Sequence, residues 1–218
     1  MPSVSLRARN AWVVGRAGAM GSVGPEVAAG AIGFMEPESV RRYWDGRPQG
    51  LDPRAVAEAY AAYAAEWGRE AFAGIDEARL ARCAELTTAL TDAALPSIGP
   101  LFAAWRTIPL PDDAAGRATV ALQVLREMRG SAHLAAANSQ GLGPHGAIIS
   151  FAADPIRGGA GGASRFGWPE PHPEPDLAAR DEVERLTTSA CVPAFESLPG
   201  AERTELVELV LELRAALD

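Results

Sequence analysis

Hydrophobic positions along this chain of 218 residues recur at helical spacing in one segment after another. No stretch of useful length alternates apolar and polar residues, the pattern typical of a half-buried β-strand. The last segment, from about Ala201, places several apolar side chains on one helical face: Leu206, Leu209, Val210, Leu213 and Leu217. The pattern predicts an all-α protein, a bundle-like domain of many helices.

Helix start signals give the helices their order along the chain. A capping carboxylate followed by proline, Asp52-Pro53, predicts a helix start. That helix carries an apolar stripe at spacings of three and four, which predicts a core face: Val56, Tyr60, Tyr63 and Trp67. Asp76 precedes the next helix, and Asp112 with Asp113 precedes the longest one, at about 114–139.

The stretch 154–175 differs from its surroundings, because it is rich in glycine and proline and has no periodicity. A segment of that length without secondary structure is typical of a functional lid or a mobile linker. We therefore expect a single domain with a helical core over 1–153, a loop or lid over 154–175, and C-terminal helices over 176–218 that pack on the core. The amphipathic last helix also permits a homodimer.

The charge and the cysteine content of the chain argue against some classes of protein. The net charge is −8, and all 20 basic residues are arginine. An acidic chain is a poor general ligand for nucleic acid, since such binding depends on cationic contacts to phosphate. Cys83 and Cys191 lie far apart and fit no zinc spacing. With no apolar run of membrane-spanning length and no secretion leader, we expect a cytoplasmic protein without a membrane partner.

The long helix carries two polar residues on its apolar face. At 100° per residue, Arg129 and His133 lie close to the direction of Leu122 and Leu125. A buried arginine must be paired or must line a solvated or ligand-filled cavity. A histidine one turn away can exchange a proton near neutral pH.

Three interpretations of Arg129 and His133 stay open at this stage. The two residues could belong to the core, with the arginine paired to Glu58, Glu66 or Glu70. They could contact a bound ligand. His133 could also act as an acid or base in catalysis.

The sequence contains no motif typical of a metal site or a cofactor site. His133, His145 and His172 have no two-ligand helical spacing, so we expect no metal site. The glycine-rich run 158–162 lacks the preceding strand and the following lysine of a phosphate-binding loop. No motif requires a cofactor, and the cysteines fit small apolar packing.

Several motifs, taken in order, resemble an actinobacterial helix-turn-helix family related to winged-helix proteins. The central one is LREMRGSAH at 125–133, followed by GL at 141–142. Others are GPEV at 24–27, YWDGR at 43–47, LFAA at 101–104 and PLPDD at 109–113. The resemblance covers most of 7–153 and returns over the final two helices. By itself the resemblance would imply a DNA-binding protein.

The chain departs from that family at the position where the recognition helix is expected. Members continue after a Gly-Trp pair with a helix and a wing, whereas here Gly167-Trp168 leads into PEPHPEP at 169–175. The recognition helix and wing are therefore predicted to be missing. Because a helix-turn-helix protein reads DNA through its recognition helix, this departure and the acidic charge make nucleic acid an unexpected partner.

We therefore expect a helical protein that binds a small molecule, an anionic or carbonyl-bearing metabolite, in a cavity between helices. It could be an enzyme or accessory protein of specialised metabolism; whether it catalyses a reaction is left open. The alternative is a transcriptional regulator or a protein derived from one. The expected ligand contacts are Arg129, His133, Tyr60, Tyr63, Trp67 and, from the loop, Trp168; His133 is the candidate catalytic residue.

Overall fold

A computed structural model describes residues 8–151 and 158–217. These residues form eleven α-helices and two short 3-10 turns, and they contain no β-strand, which confirms the all-α prediction. The helices are α1 (Ala8–Ala17), α2 (Pro25–Ile32), α3 (Pro37–Asp45), α4 (Pro53–Ala71), α5 (Glu77–Ala93), α6 (Pro100–Trp105), α7 (Ala114–Ser139), α8 (Gly143–Ser150), α9 (Gly159–Arg165), α10 (Leu177–Glu196) and α11 (Gly200–Ala215). None of these helices is long and apolar enough to cross a membrane.

A side-chain carboxylate caps the start of each of the four longest helices. The sequence predicted three of these starts, those of α4, α5 and α7. The Asp52 carboxylate accepts a hydrogen bond from the amide of Arg54, and Asp76 caps α5 in the same way. Asp113 accepts from the amide of Gly116 at 2.8 Å, and Asp176 caps α10. Each cap satisfies backbone donors that a helix start leaves without partners.

The long helix α7 lies at the centre of the fold. It packs against α4, α5, α6, α8 and α10, while α1 packs on α4 and α11 packs on α5. The buried face of α11 carries Leu206, Leu209 and Leu213, as its periodicity predicted, but Leu217 is half-exposed. The homodimer expected from this helix stays a prediction.

The predicted stripe of α4 is a core face only in part, since Val56 and Tyr60 are partly buried against the core but its other two residues are not. Tyr63 is 74% exposed and Trp67 is 46% exposed. The buried face of α4 consists instead of small residues: Ala57, Ala61, Ala65 and Gly68. At Gly68 an added Cβ would lie only 1.9 Å from Oγ1 of Thr119 on α7. Small side chains let the two helices approach closely, so the larger residues are displaced to the edge of the contact.

The prediction that 154–175 has no regular structure is wrong in part. Residues 159–165, within that stretch, form the helix α9, which begins at a glycine with positive φ. Packing explains the difference, because the buried small residues Gly162 and Ala163 let this poor helix-forming sequence lie against α8. Residues 169–176 have no helix, and the lid role of the segment stays a prediction.

A buried ion pair joins the first described helix to α7. The guanidinium of Arg16 donates to both carboxylate oxygens of Glu127, at 2.9 Å and 2.7 Å. The two side chains are 8% and 2% exposed. Gln123 and Arg126 also donate to the Glu127 carboxylate, and the indole of Trp12 lies 4.5 Å from the Arg16 guanidinium carbon. The charged pair is thus surrounded by polar and aromatic partners.

Replacing Glu127 by leucine is expected to lower the free energy of unfolding by about 3–5 kcal/mol, because a buried guanidinium would lose its counter-ion. The matched control is Glu58→Leu, which breaks the exposed pair with Arg54 on α4 and should cost less than about 1 kcal/mol. The double variant Arg16→Met with Glu127→Leu should recover most of the loss. Urea denaturation measures all three; equal losses in the two single variants would contradict the assignment.

Candidate functional site

A cavity of about 940 Å³ opens between α7 and α10. Its wall is mostly apolar, with the side chains of the α1 end, α2, α8 and the residue after α9 closing the remaining sides. The residues that line it are Trp12, Arg16, Ile32, Phe34, Leu122, Leu125, Arg126, Met128, Arg129, Gly130, His133, Ala147, Ile148, Phe151, Phe166, Thr187, Thr188, Cys191, Val192 and Phe195. Five aromatic rings contribute to this wall.

Two helical stripes face each other across the cavity. On α7 the stripe runs from Leu122 to His133 and includes Arg129, the face on which the 100° periodicity grouped these residues. On α10 it runs from Thr187 to Phe195. Beyond His133 the two helices close together through Ala136, Ala137, Val183 and Leu186. Arg129, His133 and Thr187 therefore lie toward the end of the cavity where the helices converge.

Arg129 lies at the rim of the cavity. Its side chain is 55% exposed, and it donates to a carboxylate oxygen of Glu184 on α10 at 2.8 Å. The predicted partners on α4 are wrong, since Glu58 pairs with Arg54 and Glu66 pairs with Arg69, while Glu70 is exposed. The reason is geometric: α4 packs on another side of α7, against Thr119.

His133 is largely buried, and its hydrogen bonds define its tautomer. Nδ1 lies 3.0 Å from Oγ1 of Thr187, and that hydroxyl already donates its single proton to the carbonyl of Val183 at 2.7 Å. Oγ1 must therefore accept, so Nδ1 carries the hydrogen and Nε2 has the lone pair. Burial lowers the pKa of His133; the charge of Glu184 opposes this effect, and Arg129 and Arg180 reinforce it.

The aromatic residues that the sequence assigned to the site lie elsewhere. Tyr60 packs edge-on against Trp105, with ring centroids 6.2 Å apart, and burial raises its pKa. Tyr63 projects into solvent, and Trp67 contacts Phe72. None of the three lines the cavity, because α4 and α10 pack on different sides of α7 and the cavity is on the side of α10; their role as ligand contacts stays a prediction.

Trp168 does not line the cavity either, but it supports one wall. Its indole nitrogen donates to the carbonyl of Phe34 at 2.9 Å, and its ring stacks on His145 at a centroid distance of 4.7 Å. Nε2 of His145 lies 3.0 Å from Nδ1 of His172. The fold therefore brings together two of the three histidines. Burial, followed by the charge of His172, lowers the pKa of His145.

The structure adds cavity residues that the sequence did not single out. Cys191 and Phe195 follow Thr187 at intervals of four on α10, a spacing that could have indicated one face. For Arg16, Phe34 and the aromatic residues of the other segments that line the cavity, the sequence has no spacing that indicates a shared face. Within 8–151 and 158–217, no group of three or more metal-ligating side chains could hold a metal ion.

Comparison with known proteins gives one kind of match. A family model described as a helix-turn-helix family matches residues 3–175. The matched range ends before α10, so the expected resemblance over the final two helices lies outside it. No curated protein and no solved structure matched the chain.

Cys191 offers a direct measurement of access to the cavity. N-ethylmaleimide is expected to modify Cys191 in the folded protein while Cys83, which is 0% exposed and outside the cavity wall, reacts only after unfolding. Burial raises the pKa of the Cys191 thiol, so the reaction should become faster at alkaline pH. Mass spectrometry of the peptides resolves the two sites. Equal rates at both cysteines would contradict an accessible cavity.

Proposed function

The chain belongs to a helix-turn-helix family, and from that premise we propose that it binds a small, largely apolar organic molecule with an anionic or carbonyl group, in the cavity between α7 and α10. The observation that carries this proposal is the cavity itself. Its volume, about 940 Å³, falls in the range of pockets that hold drug-sized ligands. Apolar walls with a few convergent polar groups are typical of such sites.

The polar end of the cavity supports an anionic or carbonyl group on the ligand. Among the described residues Glu184 is the acid paired with Arg129, and it occupies one nitrogen of the guanidinium. A guanidinium has five N–H donors, so the others can bind a carboxylate or a carbonyl oxygen. His133 lines the same end of the cavity.

The anion probe anilinonaphthalene sulfonate tests the proposal, because it combines an apolar body with a negative group. We expect saturable binding by the native protein. Gly130→Trp should weaken this binding by about tenfold or more, since the added indole would cover apolar surface of the cavity that the probe would otherwise contact. A Cβ at Gly130 meets nothing within 4 Å, so the variant should fold. Tyr63→Trp adds the same ring at an exposed position away from the cavity and should change nothing.

A neutral probe separates charge recognition from apolar burial. Arg129→Gln should weaken anilinonaphthalene sulfonate but leave N-phenylnaphthylamine, which lacks the anionic group, unaffected. Two results would overturn the cavity as the binding site. One is that the native protein binds neither probe, and the other is that Gly130→Trp binds both probes as tightly as the native protein does.

The second candidate function is a regulator that senses an effector, and the family match is the observation that favours it. A DNA-binding regulator needs a cationic stripe on an exposed helix, and the sequence shows none beyond Arg41, Arg42 and Arg47. In the structure Arg41 pairs with Glu26 at 2.6 Å and with Glu38 at 3.1 Å, which reduces the positive charge available to phosphate.

We expect the protein not to retain its own upstream DNA in a gel-shift experiment at moderate salt, because the net charge of −8 opposes contact with phosphate. Unrelated DNA of equal length is the control. Retention that prefers the upstream sequence would instead support the regulator.

A further inference from the structure

We propose that His133 is a general base whose Nε2 removes a proton from the molecule bound in the cavity, and that Thr187 is its positioning residue. This inference rests on the proposed function, since the base needs a ligand in the cavity. The substrate class is a carbonyl compound with an acidic hydrogen on the neighbouring carbon.

The hydrogen-bond arrangement presents the correct nitrogen. Oγ1 of Thr187 donates to Val183 and accepts from Nδ1 of His133, which leaves the lone pair on Nε2. Among the described residues, none forms a hydrogen bond with Nε2, and Nε2 is not one of their sealed, unpartnered polar atoms. Because His133 borders the cavity and Nδ1 is held by Thr187, Nε2 is the ring nitrogen that we assign to a molecule in the cavity.

The neighbouring groups suit a base that cycles between neutral and protonated forms. The ring of Phe34 packs 5.6 Å from the imidazole, and the side chain is only 16% exposed. After a proton arrives at Nε2, the carboxylate of Glu184, 3.9 Å from Nδ1, stabilises the imidazolium. The other charged groups acting on the ring are Arg129 and Arg180. Because burial lowers the pKa, the neutral base predominates at neutral pH.

The proposed step balances without an oxidant or a second substrate. The C–H bond beside the carbonyl breaks, its hydrogen forms an N–H bond with Nε2, and the electron pair moves to the carbonyl oxygen. Of the arginines that line the cavity, Arg129 lies one helical turn from His133, and we assign its guanidinium to that oxygen. Return of the proton from Nε2 to a different atom gives an isomer of the substrate and restores the neutral histidine.

Nitrobenzisoxazole provides a test that needs no knowledge of the natural ligand. It is a planar, apolar compound; a base that removes its carbon-bound proton forms a nitrile, breaks the N–O bond and releases a coloured phenolate. The native protein should accelerate this opening, and the rate should rise with pH to a plateau. The midpoint should lie below about 6.5, the ordinary pKa of histidine, because burial disfavours the protonated form.

His133→Asn should lower the plateau rate by at least about 10²-fold, the usual minimum for loss of a general base. The matched control is His172→Gln, a histidine that does not line the cavity, and its rate should be unchanged. Thr187→Val should lower kcat while KM stays constant, and Thr187→Ser should restore kcat, because only the hydroxyl holds the tautomer. A merely structural threonine would not show this rescue.

Binding of anilinonaphthalene sulfonate, measured on the same samples, separates the two proposals. If the probe binds and nitrobenzisoxazole displaces it, yet His133→Asn opens the compound as fast as the native protein, the general base is overturned and the binding site stands. The general base is also overturned if the native protein binds the compound without accelerating its opening. If the native protein binds neither compound, the proposed function itself fails.

Discussion

The buried pair of Arg16 and Glu127 is the constraint on which the arrangement of the other helices depends. Two charges removed from water must be matched closely in geometry, and here both carboxylate oxygens accept from one guanidinium. The pair fixes α1 against the middle of α7. The indole nitrogen of Trp105 donates to the carbonyl of Arg16, so α6 is joined to the same point. One wall of the cavity is thereby fixed to the centre of the fold.

The cavity exists because α7 and α10 pack closely only where their side chains are small or complementary. Beyond His133 the contact uses alanines of α7 against Val183 and Leu186. Along the next turns of α7 the facing residues are Arg129 and Gly130, and they do not fill the space to α10. The polar contacts from Arg129 to Glu184 and from His133 to Thr187 mark the boundary between the close-packed and open parts.

The sequence was sufficient for features that depend on local chemistry. Helix caps such as Asp52 and Asp113 act within one turn, and the shared face of Arg129 and His133 follows from helix geometry alone. Partners distant in the chain could not be derived in this way. Glu184 lies 55 residues after Arg129, and Glu127 lies 111 residues after Arg16. A single sequence contains no signal that links such pairs.

The α4 stripe and the helix α9 show a second limit. Tyr63 and Trp67 have the spacing of a core face, yet small side chains opposite allow a closer and better-packed contact between α4 and α7. In α9, buried contacts of Gly162 and Ala163 outweigh a sequence with poor helix propensity. In both places tertiary packing overrides the local preference, and the amphipathic pattern alone gives the wrong face or no helix.

The position of α10, after the range shared with the family, has a thermodynamic consequence for His133. Thr187 and Glu184 of α10 lie against this imidazole, and α10 follows an irregular stretch whose last residue, Asp176, donates its amide to Ser150. Whatever separates α10 from α7 returns the imidazole to water and raises its proton affinity. By linkage, uptake of that proton must favour separation. Docking of the C-terminal helices and the charge of one ring are thus a single coupled equilibrium.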